Sequence, residues 1–156
     1  MATVQIACIG KLKEKHWRDA QAEYVKRLNA FCTPKITEIK EAALPGNASA
    51  AQVQKAMAAE SDTLLSVSKG FLVALSPEGK SMTSEQFADM IKQRSGAGHV
   101  TFAVGGSHGL SDEIKRRAGL TLSFSAMTMP HQLFRIVLLE QIYRGFMIAA
   151  GRTYHK

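Results

Sequence analysis

The sequence predicts an α/β fold: a mostly parallel sheet with helices on both faces. Two observations carry that reading. Five short apolar runs alternate with segments of helical period, and the runs are almost continuously apolar, as strands buried on both faces are. The length agrees, since 156 residues make about one ordinary domain. No linker or internal repeat interrupts the chain, so residues 1–156 are expected to form a single domain.

The elements follow in order. "TVQIACIG" reads as a buried strand ending in Gly10. "EKHWRDAQAEYVKRLNAF" follows with Trp17, Ala20, Tyr24 and Leu28 on one helical face, where Trp17 and Tyr24 are expected to pack in the core. "KITEIK" is a short strand of mixed polarity, suited to a sheet edge, and residues 41–50 form a loop. An alanine-rich helix runs from about Ala51 to Val67. "GFLVALS" is the next buried strand, closed by the turn-like "SPEGKS". Thr83 with Gln86 three residues on is a capping box for the helix "SEQFADMIKQRSG". "HVTFAVGG" is a fourth strand, Ser111-Asp112-Glu113 a helix start, and "GLTLSFS" a fifth strand. From Pro130 to about Ala149 the chain is helical and apolar almost all round. One subunit cannot bury every side of such a helix, so part of it is expected to meet another protomer.

Composition narrows the function classes. With 46% hydrophobic and 21% charged residues the chain is globular rather than disordered. Cys8 sits in an apolar run as a small core residue, and neither cysteine has metal-ligand or disulfide-framework spacing. No metal is expected. "MATVQIACIG" has no basic region ahead of a long apolar segment, and no run of 18 apolar residues exists, so the expectation is a cytoplasmic protein without a membrane anchor. Twenty Lys and Arg against 13 Asp and Glu give +7, which favours a polyanionic partner. The charge is clustered at Lys11, Lys13, Lys15 and Arg18, again at Lys115, Arg116 and Arg117, and at the end in Arg144, Arg152 and Lys156.

In sheets of this kind ligands sit beyond the carboxyl ends of the strands. Three segments fall there: "LSPEGK" (75–80), "GGSHG" (105–109) and "SAMTMP" (125–130). "GGSHG" matches the G-x-S-x-G of a hydrolase elbow with Ser107 as nucleophile. Asp112 is too close to serve as the third triad member, however, and only Glu140 offers an acid further on. No dinucleotide fingerprint or P-loop is present. What remains is a turn whose glycines either serve its dihedrals or let a flat ligand approach the backbone. Met127 and Met129 can be read as a ligand wall or as core, and Thr128 as a ligand contact or as a helix cap.

The chain resembles a known family over its whole length. "IGKLKEKHW…EYVKRL", the Leu75–Lys80 "L-x-x-x-GK", "VGGSHGL" from Val104, "LSFSAMTMPHQLFRIVLLEQIYRGF" and the closing "YHK" are similar to the family of ribosomal RNA large subunit methyltransferase H, within the SPOUT class. The resemblance implies S-adenosyl-L-methionine as cofactor, a C-terminal deep trefoil knot and a homodimer. It also implies methylation of N3 of a pseudouridine in helix 69 of 23S ribosomal RNA on the assembled 70S ribosome.

Carried over, the cofactor contacts fall on Leu75, Gly105, Phe124, Ser125, Ala126, Met127, Thr128 and Met129. The substrate-site roles fall on Arg144, Tyr154 and His155: a general base in His155, stacking or orientation by Tyr154, charge stabilisation by Arg144. Glu140, four residues before Arg144, is placed to pair with it. Two other classes share parts of the pattern. A non-catalytic ribosome-binding protein would need the charge but not the loops, and a SPOUT enzyme acting on tRNA would share the cofactor loops.

Overall fold

The computed structural model describes Met1–Tyr154. Five strands, β1 (Thr3–Ile9), β2 (Thr33–Ile39), β3 (Phe71–Ser81), β4 (His99–Val104) and β5 (Leu120–Ser123), alternate with five helices. The helices are α1 (Lys15–Leu28), α2 (Ala50–Val67), α3 (Ser84–Gly96), α4 (Asp112–Arg117) and α5 (His131–Ala149). The strands form one sheet in the order β2-β1-β4-β3-β5, with every pairing parallel. The α/β class, the element order and the edge position of β2 are those the sequence predicts.

Two apolar layers cover the sheet, sorted by the two-residue strand period. Val4, Ile6 and Cys8 of β1 face α1, α3 and α5, in a core with Leu28, Phe87, Ile91, Leu138 and Ile142. Ala7 and Ile9 face α2 and α4, with Leu64 and Ile114. Burial pushes the Cys8 thiol up to about 12 and the Cys32 thiol to about 11, so both are inert core residues. Fully buried Gln5 is satisfied by Thr37 Oγ1 (3.0 Å), the Val67 carbonyl (3.1 Å) and Thr101 Oγ1 (3.2 Å). The Thr83–Gln86 capping box forms in both directions.

The structure corrects two sequence expectations. β3 does not end at "GFLVALS" but continues through the turn-like residues to Ser81. Tertiary pairing overrides local propensity there: Leu122 of β5 pairs in register with both Leu75 and Lys80, and Ser123 with Ser81. Residues 76–79 therefore bulge across β5, and a Cβ at Gly79 would stand 2.7 Å from the Leu122 backbone. Tyr24 is half-buried and packs against the core as expected, whereas Trp17 is half-buried and stands off it, because α1 fully buries only Leu28 at its end. The open side of α1 continues onto α5, where Leu133 is exposed and Ile136, Val137, Met147 and Ile148 are half-buried. Among the described residues no helix is long and apolar enough to cross a membrane.

Candidate active site

The three loops singled out in the sequence meet at the carboxyl edge of the sheet and enclose a cleft. β3 contributes Leu75, Ser76 and Pro77, the turn after β4 contributes Gly105, Gly106 and Gly109, and the segment after β5 contributes Phe124, Ser125, Met127, Thr128 and Met129. His131 and Phe134 of α5 close it. Its floor is apolar, since Leu75, Val104 and Leu122 are buried. The mouth is apolar too, for Met127 is 79% exposed.

Seven of the eight residues assigned to cofactor by resemblance line this cleft. Ala126 is the exception: it is exposed between Ser125 and Met127 and does not line the wall. Its neighbours are set by a tight turn in which the Met127 N–H donates to Ser125 Oγ at 2.9 Å. Thr128 does not cap α5. The helix starts at His131 after Pro130, with no side-chain cap, which leaves the Thr128 side chain to the cleft.

The glycine turn is required by its own closure. A Cβ at Gly105 would meet the Gly109 backbone at 2.5 Å, and Gly109 has φ of 74° and donates to the Gly106 carbonyl at 3.1 Å. The consequence for a ligand is a wall of bare backbone. Glu41, in a loop that carries no motif, braces this turn by accepting the Ser107 N–H at 2.9 Å. Burial raises the Glu41 pKa, but the Ser107 amide and hydroxyl, with His131 and His108 nearby, outweigh it and hold the carboxyl below its ordinary range. Ser107 therefore faces a carboxylate held below its ordinary range, a weak base, and does not line the cleft, an arrangement unlike that of an activated hydrolase nucleophile.

Arg135 belongs to none of the three loop motifs, although a lone cation inside "LFRIVLL" is a visible signal. It is 1% exposed and donates to Glu38 Oε2 (2.6 Å), Gln21 Oε1 (3.2 Å) and the Gly10 carbonyl (3.2 Å). Those bonds tie α5 to β2, α1 and the end of β1.

A second cluster stands at the far end of α5. Arg144 pairs with Glu140 (Nε 2.9 Å, Nη2 2.7 Å), as its spacing predicts. The Tyr154 hydroxyl donates to the other oxygen of Glu140 at 2.8 Å, and the Arg144 guanidinium lies 4.9 Å from the Tyr154 ring centroid. Burial first, then the Glu140 hydrogen bond, push the Tyr154 pKa up, and the same two causes raise Tyr24 to about 12. His155 lies outside the described residues. Arg144 is thirteen residues past His131 along α5, roughly 20 Å at 1.5 Å per residue, so the structure does not bring this cluster to the cleft of the same chain.

A family profile described as "Predicted SPOUT methyltransferase" matches residues 2–155. The chain belongs to the SPOUT methyltransferase family. Similar to it is "Ribosomal RNA large subunit methyltransferase H" of Streptococcus equi subsp. zooepidemicus, 45% identical over 157 residues, which cover 98% of this chain and 99% of that protein. Among solved structures, a probable methylase family protein from Haemophilus influenzae superposes with a TM-score of 0.56 at 10% identity, covering 98% of this chain and 70% of the other. A putative methyltransferase from Legionella pneumophila, solved with bound SAM, gives 0.50 at 15% identity, covering 90% and 65%. These two likenesses bear on the fold alone. The glycine turn after β4 and the loop between β5 and α5 wall the cleft of this chain, and the tail cluster stands apart from them.

Proposed function

We propose that this chain works as a homodimer in the cytoplasm and transfers a methyl group from S-adenosylmethionine to N3 of a pseudouridine in helix 69 of 23S ribosomal RNA, on the assembled 70S ribosome. The observation that carries the reading is the convergence of the three loops into one backbone-walled cleft, in a chain whose full-length relatives bear the name of a large-subunit ribosomal RNA methyltransferase.

The residues present fit a nucleoside cofactor. Leu75, Leu122 and Phe124 offer an apolar floor for a flat purine, while the Gly105 turn and residues 125–129 offer backbone amides and carbonyls to a ribose and base edge. Leu75, Gly105, Phe124, Ser125, Met127, Thr128 and Met129 hold the cofactor in this reading. When bound, S-adenosylmethionine supplies a methyl already activated on a sulfonium. The protein's share is alignment, proton removal and exclusion of water. Met127 provides apolar cover at the mouth.

The acceptor N3 carries a weakly acidic imide proton that must leave. Tyr154 is not its base, because a phenol with a raised pKa stays protonated near neutrality. It stacks on or donates to the uracil ring, Arg144 steadies negative charge on a ring oxygen, and His155, the imidazole of the tail, takes the proton. Glu140 fixes both Tyr154 and Arg144. Since Arg144 lies roughly 20 Å of helix from its own cleft, the tail groups serve the cleft of a second protomer docked on the open faces of α1 and α5. The bulge at 76–79 that crosses Leu122 is, in this reading, the rim of the trefoil knot implied by the family.

The test is methyl transfer from labelled cofactor to 70S ribosomes, 50S subunits and bulk tRNA from a strain lacking the gene, with the product mapped by mass spectrometry. Label on N3 of a pseudouridine in helix 69 is the expected result. Label on tRNA alone sinks the substrate assignment, and no label despite cofactor binding removes the catalytic roles of Tyr154 and His155.

A further inference from the structure

His131 stands between two depressions. One is the cleft already described, and the other is a wider trench between the β1–α1 loop and the end of β2. The loop along this trench is firmly built. The Gly10 N–H donates to the Ile39 carbonyl at 2.7 Å, and the Gly10 carbonyl accepts from Arg135. Leu12 turns inward, 5% exposed, with its N–H on Glu38 Oε2 at 3.2 Å. The Arg18 guanidinium reaches back to the Leu12 and Lys13 carbonyls. With Leu12 pinned inward, its neighbours Lys11 and Lys13 are exposed, and Lys40, one residue past β2, is exposed on the same trench.

The charge of this trench is uneven. Three carboxylates also line it, but Glu38 is taken by Arg135 and the Leu12 amide, and Glu41 by the Ser107 amide. Glu14 alone remains against three lysines that form no ion pair among the described residues. The neighbouring Lys15, by contrast, pairs with Asp19, and in the second basic cluster Lys115 pairs with Glu78 and Arg117 with Glu113. Unpaired positive charge on an ordered backbone therefore collects beside the methyl-donor cleft.

We propose that this trench seats the sugar–phosphate backbone of the substrate RNA, with Lys11, Lys13 and Lys40 on phosphates flanking the target nucleotide, whose base enters the cleft past His131. The inference rests on the reading that the acceptor is RNA. Each phosphate contact contributes a counterion-release term of roughly 0.7–0.9 to the log–log salt slope, so losing three lowers the slope by about 2 to 3.

The experiment compares wild type, the triple variant Lys11→Gln/Lys13→Gln/Lys40→Gln and a control, Lys55→Gln on α2. It measures binding to 70S ribosomes across salt, methyl transfer, S-adenosylmethionine binding by calorimetry and subunit mass by light scattering. The triple variant is expected to lose about 10-fold or more in ribosome affinity and about 2 to 3 in slope. Its cofactor affinity and mass should stay with wild type, and its kcat at saturating ribosomes should approach wild type. Unchanged ribosome affinity and slope overturn the proposal. A changed mass also overturns it, because the trench would then be a subunit interface. If wild type binds ribosomes and the variant does not, yet neither labels RNA, the acceptor assignment falls while the trench stands. A wild type that binds no ribosome overturns both.

Discussion

Removing Glu38, a half-exposed acid, should destabilise the fold more than replacing Arg135, the buried base it pairs with. Arg135 is 1% exposed and the side chain of Glu38 is 39% exposed. In wild type the guanidinium gains a charge-assisted bond to Glu38, worth about 1.5–3 kcal/mol, and two bonds to neutral oxygens at 3.2 Å, worth about 1 kcal/mol each. Against these stand several kcal/mol of desolvation and an Arg135 Nε that has no partner among the described residues. The balance is near zero relative to an apolar residue of similar volume, so Arg135→Met should cost about 1 kcal/mol or less. Gly10 lines the trench and Gln21 is half-exposed, so both keep access to water. Glu38→Ala instead leaves a buried guanidinium without its counter-charge, for which about 3 kcal/mol is expected, at the low end of broken buried pairs because Glu38 is partly hydrated. At about 2–4 °C per kcal/mol for a chain of this size, Glu38→Ala should lower Tm by roughly 6–12 °C. The double variant should recover most of that loss. Urea and thermal unfolding at one fixed protomer concentration check the ordering. An Arg135→Met variant as damaged as Glu38→Ala, or a double variant no better than Glu38→Ala alone, would refute the reasoning.

Further outcomes follow from the site. Met127→Ala removes a side chain that is 79% exposed, so stability should move by less than about 0.5 kcal/mol, while calorimetry should show weaker S-adenosylmethionine binding. Gly105→Ala drives a Cβ into the Gly109 backbone, and cofactor binding should fall with Tm. Tyr154→Phe breaks the bond to Glu140. It should lower kcat without moving the pH profile, and a lost limb would assign the proton transfer to Tyr154 instead. Glu41 has a folded pKa below its unfolded value, so it contributes stability that is present above the unfolded pKa and is lost as pH falls through the folded one. Glu41→Gln should flatten the acid limb of stability against pH, and an unchanged limb would rule out this contribution.

What the sequence disclosed depended on whether the cause was local. Strand and helix order followed from periodicity, and the Thr83–Gln86 box from two side chains three residues apart. The second half of β3 was hidden because "SPEGKS" has turn chemistry and becomes strand only through its pairing with β5. Trp17 looked like core, as its face-mate Tyr24 is, because helical periodicity marks an apolar face without saying how far the covering extends. In the cleft, the glycines and the "SAMTMP" loop were visible as a coincidence at three strand ends. Glu41 was not, since a lone acid in "EAALPGNASA" acquires its role only from a partner 66 residues away. Tyr154 and Arg144 were legible only by resemblance, because nothing in the spacing of "GRTYHK" distinguishes a functional tail from a frayed one.

α5 joins these strands of argument. Its N-terminus leaves the loop that walls the cleft, and its C-terminal half carries Glu140, Arg144 and the docking place of Tyr154. A rigid helix keeps those two ends apart, so a single protomer does not bring its tail groups to its own cleft. A helix serving both needs one side for its own sheet and another for a second copy. That demand, in the proposed dimer, accounts for a sequence apolar almost all round, with Leu138, Leu139 and Ile142 buried inward and Leu133, Ile136 and Val137 left partly open. In the proposed dimer, the absence of a polar face on α5 and the separation of the two clusters have one cause.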